Sequence, residues 1–185
     1  MSKYLELFKG TFDDSIGTKT KPENKPYIGY SLTEGKMTYT VVPAKVEGPA
    51  DNEIWYTTTT GDIKPIHEVI EQGFDKLGIH LISNTYENGK GIFVFDNTIT
   101  EIPDSFGAFF AQNDSYILYE SIYLPNKIAT INTNFISTGC NELLYNGTVS
   151  EWNNITKLDY WNINSNVTYV KCIDGNVDVP IWGGM

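Results

Sequence analysis

A spacing of apolar residues that recurs in the second half of the chain restricts the fold more than any other feature of the sequence. The first two copies share five apolar positions in one fixed register: Phe93, Phe95, Ile99, Ile102 and Phe106, then Ile122, Leu124, Ile128, Ile131 and Phe135. A partial third copy follows at a shorter offset: Leu143, Tyr145, Val149 and Trp152. Apolar residues two positions apart predict a short strand with one face inward. Since one such coil has too little core by itself, we expect the copies to stack, with Trp152 filling the last coil.

The chain before this repeat is organised differently. Residues 13–26 are polar and rich in Lys, Thr and Pro, which indicates a linker or an extended arm. β-Branched and aromatic residues over 27–32 and 36–42 flank a turn that contains glycine, and this arrangement predicts a β-hairpin. We therefore expect two parts: an attachment or oligomerisation segment with a hairpin over residues 1–50, and a repeat domain with a C-terminal cap over residues 51–185.

One amphipathic helix is predicted ahead of the repeat. Five apolar residues recur there at helical spacing: Ile66, Val69, Ile70, Phe74 and Leu77. Pro65 suits the first turn of such a helix, whereas Gly73 weakens it. Upstream, residues 53–60 are rich in β-branched and aromatic side chains, which predicts a strand that ends at Gly61.

The second copy of the repeat carries a family resemblance. Residues 120–131 read ESIYLPNKIATI and are followed by Phe135, Cys140 and Leu143. This stretch resembles the leucine-rich repeat of the BspA-like type, whose pattern is Leu-x-x-Ile-x-Ile-Pro-x-x-Val-x-x-Ile, then Ala-Phe and Cys-x-x-Leu. Four other stretches are similar to the segments that flank such repeats: residues 52–59, 82–91, 145–153 and 171–175. The first copy departs from the pattern because Asp96 stands in the proline position.

The resemblance implies a mainly β fold over residues 51–179. The expected architecture is a short leucine-rich-repeat solenoid of two to three coils, with a β-hairpin in the N-terminal segment and one amphipathic helix. Because repeat scaffolds carry many roles, the resemblance is more specific for the fold than for the function.

The resemblance also suggests where such a protein acts. BspA-like proteins of gut bacteria are commonly surface or secreted proteins, and similar modules occur in phage particles that infect these bacteria. We therefore expect a non-enzymatic virion structural protein: a capsid decoration, head fibre or tail-associated protein that displays its repeat domain to a host surface protein or a glycan. We expect a homotrimer that is assembled in the host cytoplasm and binds capsid or other virion proteins through residues 1–50.

A bacterial cell-surface adhesin is the alternative. The first nine residues, MSKYLELFK, lack the apolar run of a secretory signal, and this favours the virion over the adhesin. Upstream sequence encoding a leader would favour the adhesin instead.

Two candidate contact surfaces follow from the repeat. Alternation along the strands places Val94, Tyr123 and Leu144 away from the core, where they are expected to form one apolar line across three adjacent strands. This line either contacts a partner or is covered by the N-terminal hairpin of the same chain, and the sequence leaves both open. Tyr160 and Trp161 lie in an Asn-rich cap, and stacking of Trp161 on a sugar ring would make the protein a small lectin.

The composition of the chain argues against a nucleic-acid partner and against insertion into a membrane. The net charge is −10 and all 13 basic residues are lysine, so the chain lacks the arginine that best contacts phosphate and guanine. We therefore expect no nucleic-acid partner. No apolar run approaches the length of a membrane-spanning helix, so we expect no membrane insertion.

The sequence shows no catalytic or metal-binding pattern. His67 and His80 have no Cys or His neighbour at ligand spacing, which argues against a zinc site. Nucleophile-elbow, phosphate-loop and dinucleotide motifs do not occur in the sequence. We therefore expect no enzymatic activity and no cofactor. Cys140 and Cys172 are either two separate buried thiols or a disulfide, because the sequence does not place their Cα atoms.

Overall fold

The computed structural model describes residues 27–33, 36–42, 47–66, 68–106, 117–136, 140–163 and 165–179. The chain divides into two compact units, Met1–Glu47 and Gly48–Met185. In the first unit, β1 (Tyr27–Thr33) pairs antiparallel with β2 (Lys36–Val42). β-Branched and aromatic residues, which favour extended backbone, occur along both strands.

The second unit combines strands with two short helices among its described residues. In chain order its elements are β3 (Glu53–Thr58), α1 (Glu68–Lys76), β4 (Leu81–Glu87), β5 (Lys90–Phe95), β6 (Glu101–Ile102), β7 (Tyr119–Leu124), β8 (Thr130–Ile131), β9 (Glu142–Tyr145), α2 (Val149–Asn154), β10 (Thr156–Lys157), β11 (Tyr169–Cys172) and β12 (Gly175–Asp178). Seven strands form one mixed sheet in the order β12-β11-β9-β7-β3-β5-β4. Three form a parallel sheet in the order β10-β8-β6. Neither described helix has the length and apolar character needed to cross a membrane.

The predicted fold class, a mainly β leucine-rich-repeat solenoid, is wrong, because the second unit is a mixed α/β fold. In a solenoid the strands of successive copies are parallel neighbours. Here β3 lies between β5 and β7 and runs antiparallel to both. Phe93 of the first copy therefore lies opposite Ile54, and Ile122 of the second copy lies opposite Tyr56. Residues 53–58 are aromatic and β-branched and form β3, which lies beside β5 where a solenoid would have β7. The repeat spacing does not reveal that β3 takes this position.

The repeated apolar positions nevertheless form the core of the second unit. All ten positions shared by the first two copies are at most 4% exposed, and Trp152 is buried as predicted. The offset between the first and second copies appears in the pairing of β6 with β8, where Ile102 lies opposite Ile131. The shorter offset between the second and third copies appears in the pairing of β7 with β9, where Ile122 lies opposite Leu143.

On the side of the three-stranded sheet the offset between the second and third copies is longer, because Ile131 lies opposite Lys157 and not opposite Trp152. The cause is α2, which is inserted between β9 and β10. The residue of the third copy that corresponds to Phe135 is therefore Trp161. The rings of Phe106, Phe135 and Trp161 form an aromatic ladder with successive centroid distances of 5.8 and 6.5 Å. A residue with left-handed backbone conformation precedes each of these three aromatic residues. The three are Ser105, Asn134 and Tyr160, with φ of 63°, 52° and 59°.

Helix α1 is close to its predicted position but presents a narrower apolar face. The apolar residues that predict it run from Ile66 to Leu77, and the helix spans Glu68–Lys76. Ile70 and Phe74 are buried in the core as the spacing predicts, whereas Val69 is 50% exposed. The helix therefore contacts the core with fewer side chains than its periodicity indicated.

Candidate functional site

The outer face of the seven-stranded sheet carries a row of apolar side chains that crosses four adjacent strands. Ile92 of β5 lies opposite Trp55 of β3, Trp55 lies opposite Tyr123 of β7, and Tyr123 lies opposite Leu144 of β9. Each of the four is only partly buried, whereas the residues that alternate with them face the core. We call these four residues the outer row.

Trp55 is held in a defined orientation at the centre of the outer row. Its ring lies edge-to-face with that of Tyr123, with ring centroids 5.8 Å apart and 89° between the planes. The indole Nε1–H donates a hydrogen bond of 2.8 Å to Glu53 Oε2. The ammonium of Lys90 lies 3.7 Å from the centroid of the Trp55 ring, which is a cation–π contact.

Tyr123 is tied to the edge of the second unit through Asn146. Its hydroxyl donates to Asn146 Oδ1 at 3.5 Å, and Asn146 Nδ2 donates to the carbonyl of Pro49 at 3.1 Å. A Cβ at Gly48 would overlap the end of the Asn146 side chain, so a larger residue there would displace Asn146 from both hydrogen bonds. Partial burial raises the pKa of the Tyr123 hydroxyl, which therefore stays protonated at neutral pH.

Polar and acidic side chains border the outer row. Thr57 Oγ1 and Ser121 Oγ are 2.9 Å apart, and the Thr57 hydroxyl also donates to Glu120 Oε2 at 3.5 Å. Glu142 lies opposite Ser121 on the next strand. With Glu53 on the other side of the row, three carboxylates flank the apolar residues of this face.

Two lysines, Lys90 and Lys171, lie on the same face, the latter opposite Leu144. They are outweighed by the acidic residues of the second unit. Residues 48–185 contain 6 lysines and 17 acidic residues, a net charge of −11, whereas residues 1–47 contain 7 lysines and 6 acidic residues, a net charge of +1. The second unit is therefore acidic as a whole, and on this face three carboxylates stand against the two lysines.

The predicted apolar line of Val94, Tyr123 and Leu144 is correct only in part. Tyr123 and Leu144 are neighbours on adjacent strands, but Val94 lies opposite Glu53 and outside their row. The insertion of β3 separates the first-copy strand from the second-copy strand. Trp55 therefore occupies the position beside Tyr123 that was expected for Val94.

The second predicted surface, formed by Tyr160 and Trp161, is wrong for Trp161. Tyr160 is 53% exposed, but Trp161 is only 4% exposed. Its ring stacks on Phe135 and lies edge-on to Trp152 at 5.8 Å. Because α2 lengthens the offset between the second and third copies on this side, Trp161 takes the core position that corresponds to Phe135. Its ring is therefore not available to stack on a sugar.

One polar pair, His80 and Asp96, lies away from the outer row. His80 Nδ1 is 2.9 Å from Asp96 Oδ2, and this hydrogen bond raises the pKa of His80. His67 lies outside the described residues. Within the described ranges, no group of three or more His, Cys, Asp and Glu side chains is placed to hold a metal ion.

Cys140 and Cys172 are separate buried thiols, so the structure selects the first of the two alternatives that the sequence left open.

Sequence reasoning missed Trp55 and Lys90 as site residues. Part of the signal was present, because alternation over residues 53–58 places Trp55 on the face opposite Ile54 and Tyr56. What the sequence did not show is that β3 joins the sheet beside β7. Chemically, the arrangement offers apolar area, an aromatic face that accepts a cation, and carboxylates that accept hydrogen bonds, all of which serve binding.

Comparison of the chain with protein-family models, with curated proteins and with solved structures finds no match.

Proposed function

We propose that this chain is a non-enzymatic structural and binding protein that contacts a partner through the outer face of its seven-stranded sheet. The observation that carries the proposal is the outer row, centred on Trp55 and Tyr123. Four apolar side chains that cross adjacent strands on the solvent side of a sheet are typical of a contact surface. Aromatic residues of this kind are also enriched at protein interfaces.

The setting we propose is a phage virion, in which the chain is a capsid decoration, head fibre or tail-associated protein. Residues 1–50 attach the chain to capsid or other virion proteins, and the second unit is presented to a host surface protein or a glycan. The resemblance of residues 120–143 to BspA-like repeats supports this setting. The difference in charge between the two units, +1 against −11, is consistent with separate roles in attachment and display.

A bacterial cell-surface adhesin is the second candidate. It is favoured by the same resemblance, since BspA-like proteins are commonly found at bacterial surfaces. Both candidates use the outer face as a contact surface and differ in the assembly that carries it.

Two measurements on the full chain test the virion proposal. Native mass spectrometry at micromolar concentration is expected to show a homotrimer. Proteomic analysis is expected to detect the chain in purified phage particles. The same analysis is expected not to detect it in fractionated bacterial envelopes. A monomer that is missing from particles contradicts the virion proposal, and recovery from the envelope favours the adhesin.

A further inference from the structure

We infer that the outer face receives a cationic side chain, a lysine or arginine of a protein partner, on the indole ring of Trp55. The inference rests on the proposed function, because it names the chemistry of the partner that the outer face contacts. The cation of the partner would replace the ammonium of Lys90, which occupies the ring in the isolated chain.

The first argument is the contact that Lys90 makes. Its Nζ lies 3.7 Å from the centroid of the Trp55 ring, well within the distance at which an ammonium is attracted by an indole. The ring therefore already binds a cation, and its orientation is maintained by the edge-to-face contact with Tyr123 and the hydrogen bond to Glu53. A site whose aromatic part is held in place before binding loses less entropy when a ligand arrives.

The second argument is the charge around the ring. Carboxylates of Glu53, Glu120 and Glu142 border the outer row, and Glu53 Oε2 is bonded to the Trp55 indole itself. The second unit has a net charge of −11. A basic segment would be attracted to this face, and an acidic segment or an anionic surface would be repelled by it.

The third argument is that the native cation is replaceable. Lys90 is an exposed residue at the start of β5, directly after the turn at Asn88 and Gly89, whose φ values are 52° and 80°. An exposed lysine on a flexible stem is held over an indole by only a weak contact. A partner that adds apolar contacts along Ile92 and Leu144 would displace it and cover the row.

The experiment uses the full chain with octalysine as the cationic probe and acetylated octalysine as its neutral counterpart. The indole Nε1–H signal of Trp55, assigned by its loss in a Trp55→Leu variant, is followed by NMR. Octalysine is expected to shift this signal, with little shift from the acetylated peptide and a strong dependence on salt. Affinities are compared by isothermal titration calorimetry, since the Trp55→Leu variant lacks the indole signal. This variant, checked for folding by circular dichroism, is expected to bind octalysine more weakly, by roughly two- to fivefold.

Lys90→Ala provides the sharper test, since it leaves the indole in place and removes the side chain that covers its face. We expect this variant to bind octalysine more tightly, by roughly two- to fivefold. Lys171→Ala is the matched control, because it removes the same charge from the same face three strands away from Trp55, and its effect is expected to be smaller. Equal effects of the two substitutions would show general charge attraction and would overturn the inference.

Failure of this inference and failure of the proposed function give different results. A Trp55 signal that moves equally with the acetylated peptide, or that responds only to neutral oligosaccharides, overturns the cation site and retains the outer face as a contact surface. A monomer that is missing from particles overturns the virion function without affecting the NMR result.

Discussion

The indole ring of Trp161 stacks on the ring of Phe135, with ring centroids 6.5 Å apart and 18° between the ring planes. Trp161 also lies edge-on to Trp152 of α2, at a centroid distance of 5.8 Å. It therefore joins the aromatic ladder of the repeat to the helix that interrupts the repeat. This contact packs α2 against the aromatic core of the second unit.

We expect Trp161→Ala to lower the free energy of unfolding by about 3–5 kcal/mol, because it leaves a large cavity between Phe135 and Trp152. Urea denaturation followed by circular dichroism measures the loss. Leu158→Ala, at a nearby residue that is 42% exposed, is the control and is expected to cost less than about 1 kcal/mol. Equal losses would contradict the assignment of Trp161 to the core.

Gly91 on the inner face of β5 is required by the ring of Tyr56. A Cβ at this position would overlap the ring, so we expect Gly91→Ala to destabilise the protein by about 1–3 kcal/mol. The cost is expected to fall in a Tyr56→Leu background, where the ring is replaced by a smaller side chain. A double-mutant cycle measures this coupling. Additive effects of the two substitutions would show that the ring does not restrict position 91.

His80 and Asp96 form an exposed pair whose charge state is measurable. The hydrogen bond to Asp96, together with its negative charge, holds the pKa of His80 above its ordinary value of 6.5. We expect Asp96→Asn to lower this pKa toward 6.5. Asp75→Asn is expected to lower it less, because Asp75 Oδ1 is 3.9 Å from His80 Nε2. NMR titration of the imidazole signals measures both changes.

The sign of the pH dependence follows from the raised pKa. The stabilisation that protonated His80 provides is complete below pH 6.5, the ordinary pKa of histidine, and is lost as the pH rises through the pKa of the folded state. An Asp96→Asn variant is expected to show a weaker dependence, since only the charge of Asp75 then raises the pKa of His80. A pKa of His80 that is the same in the wild type and in Asp96→Asn would contradict the pair.

The contribution of Lys157 to the stability of the protein is expected to rise at alkaline pH. Its Nζ donates to the carbonyls of Trp152 and Ile155 at 2.6 and 3.0 Å, and burial lowers its pKa from 10.5 to about 8. Between about pH 8 and 10.5 the unfolded chain binds more protons at this residue than the folded chain, so the contribution of Lys157 to stability rises with pH.

The measurement compares urea unfolding of the wild type with that of Lys157→Met over this pH range. Tyrosines and cysteines titrate in both proteins, so their effects largely cancel in the difference. The wild type is expected to gain stability relative to the variant as the pH rises. A constant difference would show that Lys157 titrates with the same pKa in the folded and unfolded chains.

The spacing of apolar residues predicted the composition of the core well. Every position shared by the first two copies is buried, and the two offsets between copies reappear as the registers of β6 with β8 and of β7 with β9. These properties are local: whether Ile122 and Leu124 face the core depends on their own spacing in a strand. The same local rule placed Tyr123 and Leu144 on the outer face, where the structure has them as neighbours.

The order of the strands was not predictable in this way, and the candidate site depends on it. Trp55 meets Tyr123 because β3, from far upstream in the chain, pairs with β7 and separates it from β5. Trp161 is buried because the insertion of α2 lengthens the offset between the second and third copies on one side of the unit. The alternation of apolar and polar residues along one strand determines which side chains share a face, and the sequence alone established this. Which segments become neighbours follows from competition among strand edges for the same hydrogen bonds and the same core, and only the folded chain resolves that competition.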